Sequence, residues 1–304
     1  MDIYWSQYWQ QGYLTSFGDS IKANYQGVIK DCWFRFFDNL TAQDKVIDIG
    51  TGNGALIALA QAHPSLRCKF VGIDYASLKI SDKSLIEREN VEFFSNVNAE
   101  NLAFESGEFT TAIAQFSLEY TDIEQSIKEI SRVLVAGGRF QFVCHHVDSL
   151  ILKPNDRLLD AALKIKEKEG VFDTLKKLVQ ALGQKGTPKK ETTEKLRNKL
   201  NNLVSGFLDT DDDAFQNTGF PTLIRTVFSQ KNIAHRQVMI SEFEEKLYGQ
   251  ISRLTQFSEA ALNKEDKENL LHFCQQAKLN IENNDIIYQE DGQILGYVFS
   301  GYKR

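Results

Sequence analysis

The feature that most constrains this 304-residue chain is a glycine-rich turn placed between a short apolar run and a helical pattern. The run Val46-Ile47-Asp48-Ile49 is typical of a buried strand, and Gly50-Thr51-Gly52-Asn53-Gly54 follows it directly. Glycines at such a turn let ligand atoms approach the backbone and meet N–H groups at the start of the next helix. The segment predicts a strand–turn–helix unit that binds a nucleotide-like ligand.

The spacing of the glycines and the acid before them indicate which ligand. A dinucleotide-binding turn has the spacing G-x-G-x-x-G, whereas this turn has G-x-G-x-G. Asp48 lies two residues before the first glycine, where its carboxylate would repel a pyrophosphate and attract an ammonium group. The ligand that these residues predict is a nucleoside bearing an amino acid.

Residues 45–147 alternate short apolar runs with amphipathic stretches, which is typical of a parallel sheet covered by helices. The predicted strands are residues 46–49, 69–73, 91–94, 111–116 and 139–144. The predicted helices are residues 55–63, 78–90 and 122–135, the last capped by Gly137-Gly138. Near the end of the chain, two β-rich runs at residues 281–289 and 293–302 flank Glu290-Asp291-Gly292 and predict an antiparallel hairpin.

Two polar loops follow predicted strands and complete a candidate site. Asp74 ends the second strand, where a carboxylate can accept hydrogen bonds from both ribose hydroxyls; it is also a candidate helix N-cap. The loop Asn98-Ala99-Glu100 offers a short polar side chain and backbone groups to the edge of an adenine. Glu100 is equally compatible with solvent exposure or with capping a helix.

Five motifs in order resemble the class I, Rossmann-like methyltransferases that use S-adenosylmethionine. They are the glycine turn, Asp74, the Asn98 loop, residues 115–120 (QFSLEY) and residues 132–140 (RVLVAGGRF). The resemblance implies a three-layer αβα sandwich with a seven-stranded, mostly parallel sheet, a C-terminal hairpin and a helical insertion. It implies S-adenosylmethionine as the cofactor and transfer of its methyl group to oxygen, nitrogen or carbon of a small-molecule metabolite.

The resemblance also implies roles for individual residues. The methionine part of the cofactor would be lined by Asp48, Gly50, Thr51, Gly52, Asn53 and Gly54, and the ribose by Asp74. The adenine would have Tyr75 on one face and Asn98 and Ala99 at its edge, with Glu100 beside them. Gln115 and Phe116 would lie under the cofactor. Many relatives have Asp where this chain has Asn98. An Asn side chain can both accept and donate hydrogen bonds, so adenine recognition is retained, but the local charge is lost. Phe116 is also compatible with core packing alone.

The substrate side carries weaker signals. His145 and His146 follow the fifth strand, at the sheet edge where ligands bind in such folds, and one of them is a candidate general base. The alternative is that both brace the chain where it leaves the sheet. Tyr8, Tyr13 and Phe17 belong to an aromatic N-terminal segment predicted to cover the cofactor, and Tyr120 is predicted to lie on the same substrate side.

The predicted organisation has four parts. Residues 1–40 form an N-terminal helical lid, residues 41–148 the cofactor-binding core, residues 149–265 a helical cap on the substrate side, and residues 266–304 the last helix and the hairpin. The cap is inferred because its apolar positions recur at helical spacing and because the region is too long to be a simple connection.

Charge and composition narrow the partners. With a net charge of −6, the chain lacks the excess of basic residues usual in proteins that bind nucleic acid, which disfavours a nucleic-acid substrate. The four cysteines are scattered without metal-ligand spacing. We expect no metal site, no membrane span and a cytoplasmic protein, because no long apolar run or signal-peptide pattern is present. Two other functions stay open: a methyltransferase-like protein that binds cofactor or a partner without turnover, and an NAD(P)-dependent oxidoreductase. Monomer and homodimer remain equally compatible with the sequence.

Overall fold

The computed structural model describes residues 3–16, 24–183 and 189–304. They divide into two compact units. The first unit comprises the chain up to Leu152 together with Glu259–Arg304, and the second comprises Lys153–Ser258. Each unit is held together by hydrophobic clusters of its own.

The first unit is built on a mixed sheet, which has eight strands in the described residues. The strands are β1 Lys45–Ile49, β2 Lys69–Asp74, β3 Val91–Ser95, β4 Phe109–Gln115, β5 Leu134–Cys144, β6 Leu279–Asn283, β7 Ile286–Tyr288 and β8 Ile294–Lys303. Their order is β3-β2-β1-β4-β5-β8-β6, with β7 also paired to β8. Strands β1 to β5 are parallel, and β8 runs antiparallel to β5, β6 and β7.

Helices cover this sheet on both faces. Over the whole described chain the helices are α1 Ile3–Gln10, α2 Gly27–Phe37, α3 Ala55–Gln61, α4 Lys83–Ile86, α5 Ile123–Val133, α6 Leu152–Lys166, α7 Val171–Gly183, α8 Lys189–Asn217, α9 Phe220–Ser229, α10 Ile233–Ala260 and α11 Lys264–Gln276. Val46 lies in a cluster with α2 and α3, whereas its neighbour Ile47 lies in a cluster with α5 and α11. Because successive strand residues point to opposite faces, the continuous apolar runs of the sequence follow from this double cover. The predicted three-layer fold is confirmed.

The predicted helix at residues 78–90 is wrong for most of its length, since only Lys83–Ile86 is helical. The reason is that two backbone N–H groups before Lys83 form hydrogen bonds to side chains elsewhere in the first unit. That of Leu78 binds the Ser95 hydroxyl, and that of Lys79 binds the amide oxygen of Asn53. These tertiary contacts prevent the segment from being helical. The helix begins at Lys83, where the Asp82 side chain accepts the N–H of Ser84 as an N-cap.

The glycine pair Gly137-Gly138 does not cap a helix, contrary to prediction. Helix α5 ends at Val133, and the chain is already extended at Leu134. The two glycines lie inside β5, where its pairing with β4 shifts register between Phe109 and Thr111. Gly137 has a φ of 76°, a conformation that glycine adopts without strain, so glycine at this position permits the irregularity in the strand.

The C-terminal hairpin is confirmed, with one refinement. The N–H of Gln289 donates to the carbonyl of Gln293 (2.8 Å), which closes the turn predicted at residues 290–292. The strand before this turn is divided into β6 and β7, which pair with different ends of β8. This division is why the sheet has eight strands where seven were predicted.

The second unit is helical. Its cluster includes Phe172, Leu175, Phe215 and Phe220, drawn from α7, α8 and α9. Helix α8 is interrupted at Asp211, whose φ of −158° and ψ of 82° are not helical, and the Asp211 carboxylate accepts the N–H of Ala214 where the helix resumes. In the ranges that the structure describes, no helix combines the length and the apolar character needed to cross a membrane.

Replacing Phe299 should test how far the sheet depends on β8. Phe299 is fully buried in the cluster with α5 and α11, so Phe299→Ala should lower the free energy of unfolding of the first unit by about 3–5 kcal/mol. Tyr302→Ala is the control, because Tyr302 lies on the same strand with 37% of its surface exposed; its cost should stay below about 1 kcal/mol. Urea denaturation measures both, and equal losses would contradict the assignment.

Candidate functional site

The glycine turn is shaped by close approach to the end of β4. Gly50 has a φ of 67°, and a Cβ at this position would overlap the Cβ of Ser117. The Ser117 hydroxyl donates to the carbonyl of Ile49 (2.6 Å), and the N–H of Thr51 donates to the carbonyl of Ile73 (2.8 Å). The turn is thereby fixed between the carboxyl ends of its neighbouring strands, where ligands bind in open α/β sheets.

Asp48 is a buried carboxyl at the base of this turn. Its Oδ2 accepts the hydroxyl of Thr51 (2.6 Å). Burial raises the pKa of Asp48 to about 7, against the opposing effect of the Thr51 hydrogen bond. A carboxyl in this state gains strongly from a nearby cation, because a positive charge offsets the cost of its desolvation.

Asp74 ends β2 and joins two loops. Its Oδ2 accepts the N–H of Gly52 and its Oδ1 accepts the N–H of Ala76, both at 2.8 Å. Burial raises the pKa of Asp74 to about 6. No helix of the described residues begins at Asp74, so the N-cap alternative is wrong, and Tyr75 beside it is 48% exposed.

The loop after β3 is stabilised by its own polar groups. The Asn98 Oδ1 accepts the N–H of Glu100 (3.0 Å), and the Glu100 carboxylate accepts the N–H of Asp122 (2.9 Å) just before α5. Ala99 between them is buried. Glu100 therefore braces the start of α5, in line with the capping alternative.

Helix α1 lies over the glycine turn. A Cβ on Gly52 would come within 2.6 Å of the Trp9 indole, so glycine is required beneath this ring. The Asn53 amide donates to the carbonyls of Trp9 (2.9 Å) and Tyr13 (2.8 Å), and its oxygen accepts the N–H of Lys79 (2.9 Å). The Asn53 side chain thus anchors α1 and the loop after β2 to the turn.

The aromatic residues predicted for the lid form one cluster, as far as the structure describes them. Tyr8 and Tyr13 have ring centroids 4.9 Å apart, and the Tyr8 hydroxyl donates to the carbonyl of Thr15. Trp5 meets Tyr120 edge to face at 5.9 Å, which links α1 to the segment after β4. Phe17 lies outside the described residues.

Gln115 and Phe116 occupy the end of β4. The Oε1 of Gln115 accepts the indole N–H of Trp33, a residue of α2. Phe116 has a φ of 52°, an uncommon conformation for an aromatic residue, and its ring stacks on His145 at 4.1 Å. A narrow cavity lies between these side chains and the glycine turn, and its lining includes Trp9, Tyr25, Asp48, Thr51, Gln115 and Phe116.

The two histidines make contacts that favour the bracing alternative. Burial lowers the pKa of His145 to about 3, and its backbone N–H donates to the Glu119 carboxylate (2.7 Å). His146 Nδ1 accepts the N–H of Asp148 (2.9 Å), and its ring lies 4.5 Å from that of Tyr297. Burial lowers the pKa of His146 as well. Imidazoles held neutral in this way are weak bases at physiological pH.

Sequence reasoning missed Trp33 and Glu119. Trp33 was missed because apolar spacing does not reveal where an indole N–H points. Glu119 is a buried carboxyl whose pKa burial raises to about 7. Its signal was present, since Glu119 lies close to the end of a buried strand, as Asp74 does. In the described residues no cluster of His, Cys, Asp or Glu side chains could hold a metal ion.

A sequence model of the family described as "Methyltransferase domain" matches residues 47–142. These residues run from β1 into β5 and contain the glycine turn, Asp74, the Asn98 loop and Gln115. Residues 47–142 are a class I methyltransferase domain. Proteins with this domain use S-adenosylmethionine, the cofactor that the sequence predicts.

Relatives of the methyltransferase domain cover only part of the chain. The uncharacterized methyltransferase YcgJ of Bacillus subtilis is 30% identical over 124 residues, which are 39% of this chain and 45% of YcgJ. The chain thus spans less than half the length of the curated relative it matches. No acceptor follows from this similarity.

Solved structures with a similar arrangement include two that extend over most of the chain. Geranyl diphosphate C-methyltransferase from Streptomyces coelicolor A3(2) is 11% identical with a TM-score of 0.46, over 90% of this chain and 78% of that one. A methyltransferase from Methanosarcina mazei is 14% identical with a TM-score of 0.42, over 92% of this chain and 99% of that one. Similarity this low does not indicate a substrate.

The raised pKa of Asp48 predicts a pH-dependent affinity for a cationic ligand. In the free protein Asp48 is mostly protonated at pH 6 and mostly ionised above pH 7, so affinity for S-adenosylmethionine should rise between about pH 6 and pH 7.5, below the range in which the ligand's own ammonium group loses its proton. Asp74, with a pKa of about 6, contributes to the lower part of the rise. Calorimetry in buffers of different ionisation enthalpy should detect proton release at pH 6.5. The variant Asp48→Asn should bind more weakly with a flatter profile; an unchanged profile would contradict the role of Asp48.

Proposed function

We propose that this chain transfers the methyl group of S-adenosylmethionine to oxygen, nitrogen or carbon of a small molecule. The observation that carries the proposal is the pair of buried carboxyls, Asp48 and Asp74, on either side of the glycine turn. An acid at the base of the turn suits a cationic amino-acid end, and an acid at the end of β2 suits ribose hydroxyls. A nucleoside bearing an amino acid satisfies both.

The residues present fit this cofactor. Asp48 supplies a carboxylate for the ammonium group, and the Asp74 oxygens, already ordered by Gly52 and Ala76, accept from the ribose. Tyr75 offers an exposed ring to the adenine. When bound, the cofactor supplies an electrophilic methyl group on a sulfonium; the protein's task is to align the acceptor and exclude water.

The aromatic cluster supports a covered site. Trp9 lies on Gly52 and has ring contacts with Trp5 and Tyr8. Tyr13 in turn contacts Tyr8, and Tyr120 contacts Trp5. Aromatic faces attract a sulfonium by cation–π interaction and keep water away from it. We infer that α1 is part of the reaction chamber.

A small-molecule acceptor is favoured over nucleic acid because the chain carries a net charge of −6. The helical unit at Lys153–Ser258 has a hydrophobic core of its own, and we propose that it contributes to acceptor selection, as predicted for residues 149–265. A dinucleotide-dependent oxidoreductase is disfavoured by the carboxylate of Asp48. A protein that binds cofactor without turnover would use the same site, so only an assay of transfer separates the two.

Calorimetric titration with S-adenosylhomocysteine, NADH and NADPH tests the cofactor. We expect saturable binding of S-adenosylhomocysteine and none of the nicotinamides. The variant Asp74→Ala should weaken binding roughly tenfold to a hundredfold, because a charged acceptor is lost from the ribose. Asp82→Ala is the matched control, since the exposed Asp82 carboxylate accepts from the N–H of Ser84 at the start of α4. Equal affinity in wild type and Asp74→Ala would refute the ribose assignment; binding without transfer to any metabolite pool would favour the non-catalytic alternative.

We further propose that His145 acts as a neutral aromatic wall. Its ring lies parallel to Phe116 and perpendicular to Tyr120 (6.2 Å), and burial holds its pKa far below neutrality. His145→Phe should therefore retain most methyl transfer, whereas His145→Ala should lose it together with order in the Phe116 ring. Radiolabelled methyl transfer, measured once an acceptor is found, compares the two. If His145→Phe loses turnover as completely as His145→Ala while both still bind S-adenosylhomocysteine, the general-base role is restored.

A further inference from the structure

Among the described residues, a buried donor without a hydrogen-bond partner lies at the end of β4. Gln115 is 8% exposed, and its Oε1 accepts the N–H of the fully buried Trp33. Within residues 3–16, 24–183 and 189–304, Nε2 of Gln115 is buried and has no hydrogen-bond partner. Buried amides in folded proteins are nearly always satisfied, so this donor marks a place for a ligand atom.

Trp33 fixes which end of the amide faces the cavity. An indole N–H can only donate, so it must meet the amide oxygen. Turning the Gln115 amide over would bring its NH2 group against a second donor. The two N–H groups of Nε2 are therefore directed away from Trp33, and Gln115 lines the narrow cavity beside the glycine turn.

Asp48 lines the same cavity from the neighbouring strand. In the parallel pair β1–β4, Asp48 lies opposite Ile113, and Gln115 two residues later shares the face of Ile113. Since paired strands lie about 4.8 Å apart, the carboxylate and the amide are within reach of one small group. The cavity thus offers an anionic acceptor and a neutral donor side by side.

An α-amino acid group has the complementary chemistry, with an ammonium and a carboxylate on one carbon. We propose that Gln115 Nε2 donates to the carboxylate at the amino-acid end of S-adenosylmethionine while Asp48 binds the ammonium. This inference rests on the proposed function, from which it takes the cofactor. It makes Gln115 a specificity-determining residue that distinguishes the cofactor from adenosine thioethers lacking the amino acid.

Gln141 provides a matched control. It is also a buried glutamine of the sheet, on β5 opposite Ile113, and its Nε2 donates to the Cys32 sulfur at 3.8 Å. It is not among the described residues that line the cavity. Substitution of Gln141 therefore removes a buried amide from the same sheet without removing the proposed ligand contact.

The test is calorimetric titration with S-adenosylhomocysteine and with 5′-methylthioadenosine, which lacks the amino-acid end. Gln115→Met should weaken binding of S-adenosylhomocysteine roughly tenfold to a hundredfold and leave that of 5′-methylthioadenosine unchanged. Gln115→Glu should weaken binding of S-adenosylhomocysteine at least as much, because the introduced carboxylate would repel the carboxylate of the ligand. Gln141→Met should leave the ratio of the two affinities as in the wild type.

The outcomes separate this inference from the proposed function. If both affinities fall in parallel in Gln115→Met, or neither changes, the Gln115 assignment is overturned while the cofactor stands. If the wild type binds neither nucleoside, the proposed cofactor fails and the Gln115 contact fails with it. Circular dichroism melting of each variant checks that the fold is retained.

Discussion

The candidate site depends on the pair of hydrogen bonds accepted by Asp74. One comes from the N–H of Gly52 in the glycine turn and the other from the N–H of Ala76 in the loop after β2. A single carboxylate thereby sets the distance between the glycine turn and the loop after β2. Asn53 extends the arrangement, because its amide binds α1 on one side and Lys79 on the other. The glycine turn, the loop after β2 and α1 are held as one assembly.

The same region concentrates buried acids. Asp48, Asp74 and Glu119 lie near the carboxyl ends of β1, β2 and β4, and burial raises the pKa of each. Parallel strands bring their ends to one edge of the sheet, so acids near the ends of strands far apart in sequence all lie at that edge. Ionising a buried carboxyl costs free energy because the charge is desolvated, and a cationic ligand bound beside it would offset that cost. The electrostatics of the site thus favour the ligand proposed for it.

Much of this was predictable from sequence, and the failures share a cause. The glycine turn, Asp74 and the alternation of strands and helices are local signals, and the fold followed from them. The helix predicted at residues 78–90 failed because Asn53 and Ser95 bind the backbone of Leu78 and Lys79, which no local pattern reveals. The pairing of Trp33 with Gln115 was invisible for the same reason, as it joins residues 82 positions apart.

The neutrality of Gln115 has a physical logic beside a sulfonium ligand. A lysine or arginine would bind a carboxylate more strongly, but its charge would pair with Asp48 and repel both the ammonium and the sulfonium. An amide donates without adding charge, so Asp48 keeps its full attraction for the ammonium. The indole of Trp33 orients that amide without introducing a charge of its own. Gln115, oriented by Trp33, therefore binds the ligand carboxylate without adding positive charge to the cavity. The electrostatic potential of the cavity stays negative, which suits a ligand with two positive charges and one negative charge.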